Sequence, residues 1–220
     1  MRFMIEKSQA HAWLFLCRLI LVTSMAAISL GCTKHAAAVQ AIPAGATVLV
    51  LGDSISYGTG AEHGTQDYPT LLARKTGWQV INAGIAGDVS SGGLSRLPGL
   101  LAQHRPRLVI IELGGNDFLR QMAPARVEEN LKSIVHLVQQ VDAAAILIAM
   151  PEVSLAGPLS DHPLYARAAE ATGALLVPHA VSAVLSDGRL LADQVHPNAE
   201  GYRELADALT KQFHDLGVLR

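Results

Sequence analysis

The sequence predicts one doubly wound α/β/α domain, three layers thick, around a five-stranded parallel sheet. Five short runs are predominantly apolar, amphipathic stretches lie between them, and polar, glycine-rich strings follow three of the runs. Strands apolar on both faces belong to a parallel sheet covered by helices, and the amphipathic stretches supply that cover. Composition agrees, since a chain that is 50% hydrophobic and 16% charged is too apolar to stay disordered.

The first run, Ala46–Leu51, is rich in β-branched residues and passes directly into Gly52-Asp53-Ser54-Ile55-Ser56. Asp67 ahead of Tyr68-Pro69 offers a helix cap with proline in the first turn, and Gly77 offers a stop. The second run, Trp78–Ile81, leads into Asn82-Ala83-Gly84-Ile85-Ala86-Gly87-Asp88. The third, Leu108–Leu113, leads into Gly114-Gly115-Asn116-Asp117. Val127, Leu131, Ile134, Val135, Val138 and Val141 then share one helical face. Runs at Ala144–Met150 and Ala174–Val177 complete the sheet. Tyr202, Leu205, Leu209, Phe213 and Leu216 mark a closing helix, and Asp193-Gln194-Val195-His196-Pro197-Asn198 immediately precedes it.

Residues 1–31 are set apart from this domain. Arg2, Lys7 and Arg18 precede the apolar stretch Leu19–Leu30, which has the length and flanks of an export leader. The stretch ends in Gly31-Cys32, which supports a lipoprotein reading with Cys32 acylated as a lipid anchor in the membrane. Ser29 stands where a lipobox carries a branched apolar residue. Cleavage near Val39-Gln40-Ala41 and an uncleaved anchor are the competing outcomes. The expected location is the periplasm or cell envelope, with residues 32–45 as a tether and 46–220 as the folded domain. Two cysteines cannot build a disulfide framework. With 17 basic against 19 acidic residues, the chain lacks the basic face that nucleic-acid phosphates demand, so no nucleic-acid partner is expected.

In a doubly wound sheet the chemistry collects where loops leave the carboxyl ends of the strands, and the three polar strings fall there. A serine hydroxyl is a weak nucleophile until a base, commonly histidine oriented by a carboxylate, accepts its proton. Asp193 and His196 are close enough in sequence for a local turn to join them and leave one imidazole nitrogen for Ser54. Acyl transfer also builds an oxyanion that needs fixed donors. The Ser54 and Gly87 amides and the Asn116 side chain are of the right types, with Gly84 as an alternative to Gly87. Taken singly, Ser54, Gly87 and Asn116 are ordinary turn chemistry, and Asp193 and His196 could simply open the last helix.

Together, Gly52-Asp53-Ser54, Gly87, Gly115-Asn116-Asp117 and Asp193-x-x-His196-Pro197 resemble, in order, the blocks of the SGNH (GDSL) hydrolase superfamily. The strings Gly87-Asp88, Glu112–Asp117 and His196-Pro197-Asn198 are most similar to its thioesterase I, lysophospholipase and arylesterase branch. The resemblance spans about residues 46–215. It implies a flavodoxin-like sheet and a serine esterase working through an acyl-enzyme on acyl, aryl, lysophospholipid or thioester substrates. It assigns Ser54 as nucleophile, His196 as base, Asp193 as its partner, and Ser54, Gly87 and Asn116 as the oxyanion hole. A carbohydrate O-deacetylase of the envelope shares that machinery and is the alternative enzyme. A non-catalytic envelope lipoprotein is the alternative outside enzymes.

Asp53 and Asp117 are expected to brace their loops rather than react. His63, His104, His136, His162 and His179 lack ligand-like spacing, so no metal is expected, and the absence of a P-loop or dinucleotide fingerprint leaves no expected cofactor. Val153, Leu155 and Leu159, after the fourth run, offer apolar lining for the acyl group.

Overall fold

The computed structural model describes residues 40–152 and 158–220. The leader, Cys32 and most of the tether lie outside the described residues, as do Val153 and Leu155. Strands β1 (Thr47–Gly52), β2 (Gln79–Asn82), β3 (Leu108–Glu112), β4 (Ala144–Ile148) and β5 (Leu175–Val177) form one parallel sheet in the order β2-β1-β3-β4-β5. The main helices are α1 (Ser54–Tyr57), α2 (Tyr68–Thr76), α3 (Ser90–His104), α4 (Gly115–Leu119), α5 (Pro124–Gln139), α6 (Leu164–Thr172), α7 (Ala180–Leu185) and α8 (Ala199–Asp215).

The apolar runs mark the strands to within two residues at either end. The run after β3 overshoots because Leu113 stays fully buried in the loop, and the run after β4 overshoots because Ala149 and Met150 do. Burial keeps these residues apolar, and Ala149 N still donates to the Val177 carbonyl of β5 at 3.0 Å. Asp67 does cap α2, accepting from the Thr70 amide at 2.9 Å, and Gly77 ends that helix in the left-handed conformation at φ 71°.

Strand order explains where the chemistry must sit. From β1 the chain moves outward to β2, then returns past β1 to β3 and continues to β4 and β5. Right-handed crossovers therefore place α2 on one face and α3, α5 and α6 on the other. Contacts agree: α2 and α7 pack on α8, while α3 and α6 pack on α5. The direction of winding reverses between β1 and β3, and the loops leaving those two strands open a crevice at their carboxyl ends. The register pairs Gly52 with Glu112, so both strands end at the same level.

Candidate active site

Asp53 is the N-cap of α1 and accepts from the Ile55 amide at 3.0 Å, which leaves Ser54 as the first residue of the helix. Ser54 is thus not itself the cap. Gly52 is required for this turn, because a Cβ there would lie 1.9 Å from Ser56 Oγ and 2.8 Å from Glu112 Oε2. Tyr57, which ends α1, is 41% exposed and stacks on His63.

The loop after β2 is lashed to this turn. Asn82 Nδ2 donates to the Ser56 carbonyl at 2.7 Å and its Oδ1 accepts from the Gly84 amide at 2.9 Å. That bond occupies the Gly84 amide, so Gly84 is not the free donor of this loop. Gly84 is instead a packing glycine, whose Cβ would meet the Tyr57 nitrogen at 2.4 Å. Gly87, in the left-handed region at φ 77°, has no acceptor for its amide among the described residues. Its carbonyl accepts from Arg120 Nη2 at 2.8 Å. Arg96 on α3 ties the loops together, donating to the Gly52 carbonyl at 2.9 Å, the Ala83 carbonyl at 2.6 Å and Asp88 Oδ2 at 2.8 Å.

From the loop after β3, Asn116 Nδ2 donates to Asp53 Oδ2 at 2.9 Å, which fixes the amide plane and leaves its second N–H for another acceptor. Asp117 is fully buried and accepts from Ser90 N at 2.8 Å and Ser90 Oγ at 2.6 Å. Both aspartates therefore brace loops.

His196 arrives in a compact turn. Asp193 Oδ1 accepts from the Val195 and His196 amides, each at 2.9 Å, and Oδ2 lies 2.8 Å from His196 Nδ1. The other ring nitrogen, Nε2, is 3.0 Å from Ser54 Oγ, across 142 residues of chain. Since a carboxylate only accepts, Nδ1 carries the hydrogen, and in the neutral imidazole Nε2 turns its lone pair to the serine. The amide of Val195 and the His196 side chain hold the Asp193 carboxyl down at about 2, so it is ionised. The last helix is opened by Asn198, whose Oδ1 accepts from the Gly201 amide at 3.0 Å, so neither Asp193 nor His196 serves as that cap. Gly60 lets the loop after α1 approach this turn, since a Cβ there would sit 2.4 Å from the Pro197 carbonyl.

These side chains open on a cleft of about 540 Å³. Ser54, Asn116 and His196 line it, together with apolar Ile55, Phe118, Met150 and Leu159, whereas Gly87 is not among the lining residues. Phe118 is stacked on His162 with ring centroids 4.8 Å apart. Among the described residues, no group of three or more His, Cys, Asp or Glu is placed to hold a metal ion.

A family model, the GDSL-like lipase/acylhydrolase family, matches residues 50–204. The chain belongs to that family. Its fold and its SGNH blocks are those of an ester-hydrolysing enzyme. Esterase TesA of Pseudomonas aeruginosa is 39% identical over 160 residues, covering 69% of this chain and 79% of that protein. Thioesterase 1/protease 1/lysophospholipase L1 of Escherichia coli K12 is 35% identical, covering 77% of this chain and 84% of that protein. The crystal structure of TesA superposes with a TM-score of 0.69 at 34% identity, covering 77% of this chain and 99% of that one.

Glu112, Ser56 and Tyr68 were not singled out by sequence reasoning. Glu112 ends β3 fully buried, and its Oε2 accepts from Ser56 N at 3.0 Å and Ser56 Oγ at 2.6 Å. Ser56 Oγ is in turn 2.7 Å from the Tyr68 hydroxyl. The available signal was a lone glutamate inside an otherwise apolar strand.

Proposed function

We propose that the protein hydrolyses carboxylic esters through an acyl-enzyme on Ser54, with His196 as general base and acid and Asp193 as its partner. The observation that carries this reading is the unbroken contact chain Ser54 Oγ, His196 Nε2, His196 Nδ1, Asp193 Oδ2, with separations of 3.0 and 2.8 Å. As Oγ attacks the ester carbon, its proton passes to Nε2, and the imidazolium that forms is held by ionised Asp193. Nε2–H then protonates the leaving alkoxide, which departs as the alcohol. Water repeats the sequence: it gives a proton to Nε2, adds to the acyl carbon, and releases the acid as the proton returns to Oγ.

The anionic oxygen is assigned to the Ser54 amide, the Gly87 amide and the second N–H of Asn116. The first two have no acceptor among the described residues, and the third is oriented by Asp53. Removing one such donor typically costs on the order of 10²–10³ in rate, which is the loss expected in kcat for Asn116→Ala.

The apolar lining of the cleft favours alkyl or aryl acyl groups, including lysophospholipid and thioester substrates, over the acetyl groups of a glycan. A p-nitrophenyl ester series of increasing chain length, run beside an acetylated glycan, tests this. Hydrolysis that improves beyond acetate supports it, and hydrolysis confined to the acetylated glycan overturns the acyl preference. The basic and apolar leader of residues 1–31 supports export to the envelope, with Cys32 as the candidate anchor.

A further inference from the structure

We propose that Glu112 is a positioning residue for Ser54, the post on which the turn Asp53–Ser56 hangs. The inference rests on the reading of Ser54 as nucleophile and extends it to a side chain that never reaches the cleft. Glu112 ends the strand beside β1, level with Gly52, and its Oε2 collects donors from both sides of Ser54. Ser56 N lies 3.0 Å away, Ser56 Oγ 2.6 Å, and Asp53 N, more weakly, 3.4 Å. The fully buried Tyr68 hydroxyl anchors the far side of Ser56 Oγ at 2.7 Å. Gly52 leaves the room for this bundle, as its missing Cβ would collide with both Ser56 Oγ and Glu112 Oε2.

The charge state follows from the surroundings. Glu112 has no exposed surface, no ion-pair partner among the described residues, and a second oxygen, Oε1, that is buried without a hydrogen-bond partner there. A carboxylate so placed would be an uncompensated buried charge, which proteins avoid by keeping the proton. Asp53, an acid, further disfavours ionisation, and the Tyr68 phenol beyond Ser56 is neutral. Arg96 is bonded to the Gly52 carbonyl and Asp88 instead. Burial and Asp53 both push the Glu112 carboxyl up. Glu112 therefore acts as a neutral acid that receives the turn's donors without setting a second charge beside Asp53.

A neutral acid is mimicked by an amide but not by a methyl group. The test is hydrolysis of a p-nitrophenyl ester by native protein, Glu112→Ala, Glu112→Gln and Ser56→Ala, with active sites counted by a fluorophosphonate and melting followed separately. Because Ala leaves the Ser56 donors unmet, Ser54 should shift, lowering kcat per labelled site by about 10- to 100-fold with KM within about threefold, as for other small misplacements of a reacting group. Glu112→Gln should restore kcat to within about threefold. Should Glu112→Ala fail to fold, Ser56→Ala, which deletes one donor and keeps the carboxyl, is expected to lose about 3- to 10-fold in kcat. The proposal is overturned if Ala or Ser56→Ala leaves kcat per site unchanged while Tm falls, or if Gln loses as much as Ala. An inert, unlabelled native protein would instead overturn the reading of Ser54 itself.

Discussion

The two halves of the cleft are built in opposite ways. The Ser54 turn is buried and held from a distance: Glu112, Asn82 and Asn116 reach it from 56, 26 and 63 residues away. The His196 turn is held from within, since Asp193 bonds residues two and three places along and is itself 54% exposed on its side chain. A buried turn can be set only by tertiary contacts, whereas a surface turn can be closed by one aspartate. The site thus joins a rigid oxygen, fixed by the core, to an imidazole carried on a self-contained loop.

The strongest way to break this contrast is to remove either end of the bond that joins the halves. Ser54→Ala and His196→Ala are each expected to lower kcat on an activated ester by on the order of 10³-fold or more, because triad members act as a unit. Comparable activity in either variant would separate the two turns functionally.

Asp193→Asn probes the self-contained half. Asparagine keeps an acceptor for the Val195 and His196 amides, so the turn should persist while the imidazole loses its anionic partner. A fall of roughly 10²-fold in kcat is expected, less than the ~10⁴ known for a buried carboxylate in this role, because the site is open to water. Circular dichroism should show an unchanged fold, and a loss equal to that of His196→Ala would contradict the open character of this half.

Two glycines sharpen the contrast in stability. At Gly52 a methyl group meets Ser56 and Glu112, so Gly52→Ala should cost about 1–3 kcal/mol in denaturant unfolding, as overpacking commonly does. At Gly188, in the short 3₁₀ turn Gly188–Leu190 before the His196 turn, an added Cβ would meet nothing within 4 Å. Gly188→Ala should fall within about 0.5 kcal/mol of native, as exposed substitutions usually do.

The buried half also predicts a pH effect. Burial is the largest influence on Asp53 and lifts its carboxyl from 3.8 to about 6, against the bonds from Ile55 and Asn116. The native state then binds this proton more firmly than the unfolded chain does. The stabilisation is fully present below pH 3.8 and is lost as pH rises through about 6. Asp53→Asn cannot titrate, so its Tm relative to native should rise by a few degrees between about pH 4 and about pH 7. A difference that stays flat or falls would place the Asp53 charge in a more solvated setting.

The same contrast explains what could be read from the sequence. Predominantly apolar runs reported the strands because central strands of a parallel sheet are buried on both faces. The contact between Asp193 and His196 was legible because three residues of spacing already bring a carboxylate and an imidazole together. Gly87 and Asn116 stand out only as parts of ordered blocks, since each alone is turn chemistry. Glu112 was not legible, because its role depends on β3 ending level with β1 and on Ser56 turning back toward it. Nor was α3, where Gly92, Gly93, Gly99 and Pro98 argue against a helix. Tertiary contact overrides that propensity, with Gly93 fitting against Leu113, where a Cβ would lie 2.3 Å from Cδ1.

The proposed chemistry stands on His196 activating Ser54 across the cleft, and covalent labelling probes that step without intermediaries. Native protein and the Ser54→Ala and His196→Ala variants would be treated with a fluorophosphonate, with the adduct located by peptide mass and its rate followed over time. A single adduct is expected on the peptide holding Ser54, none in Ser54→Ala, and labelling slowed by on the order of 10³-fold in His196→Ala. Labelling at native speed without His196, or an adduct on another residue, would contradict it.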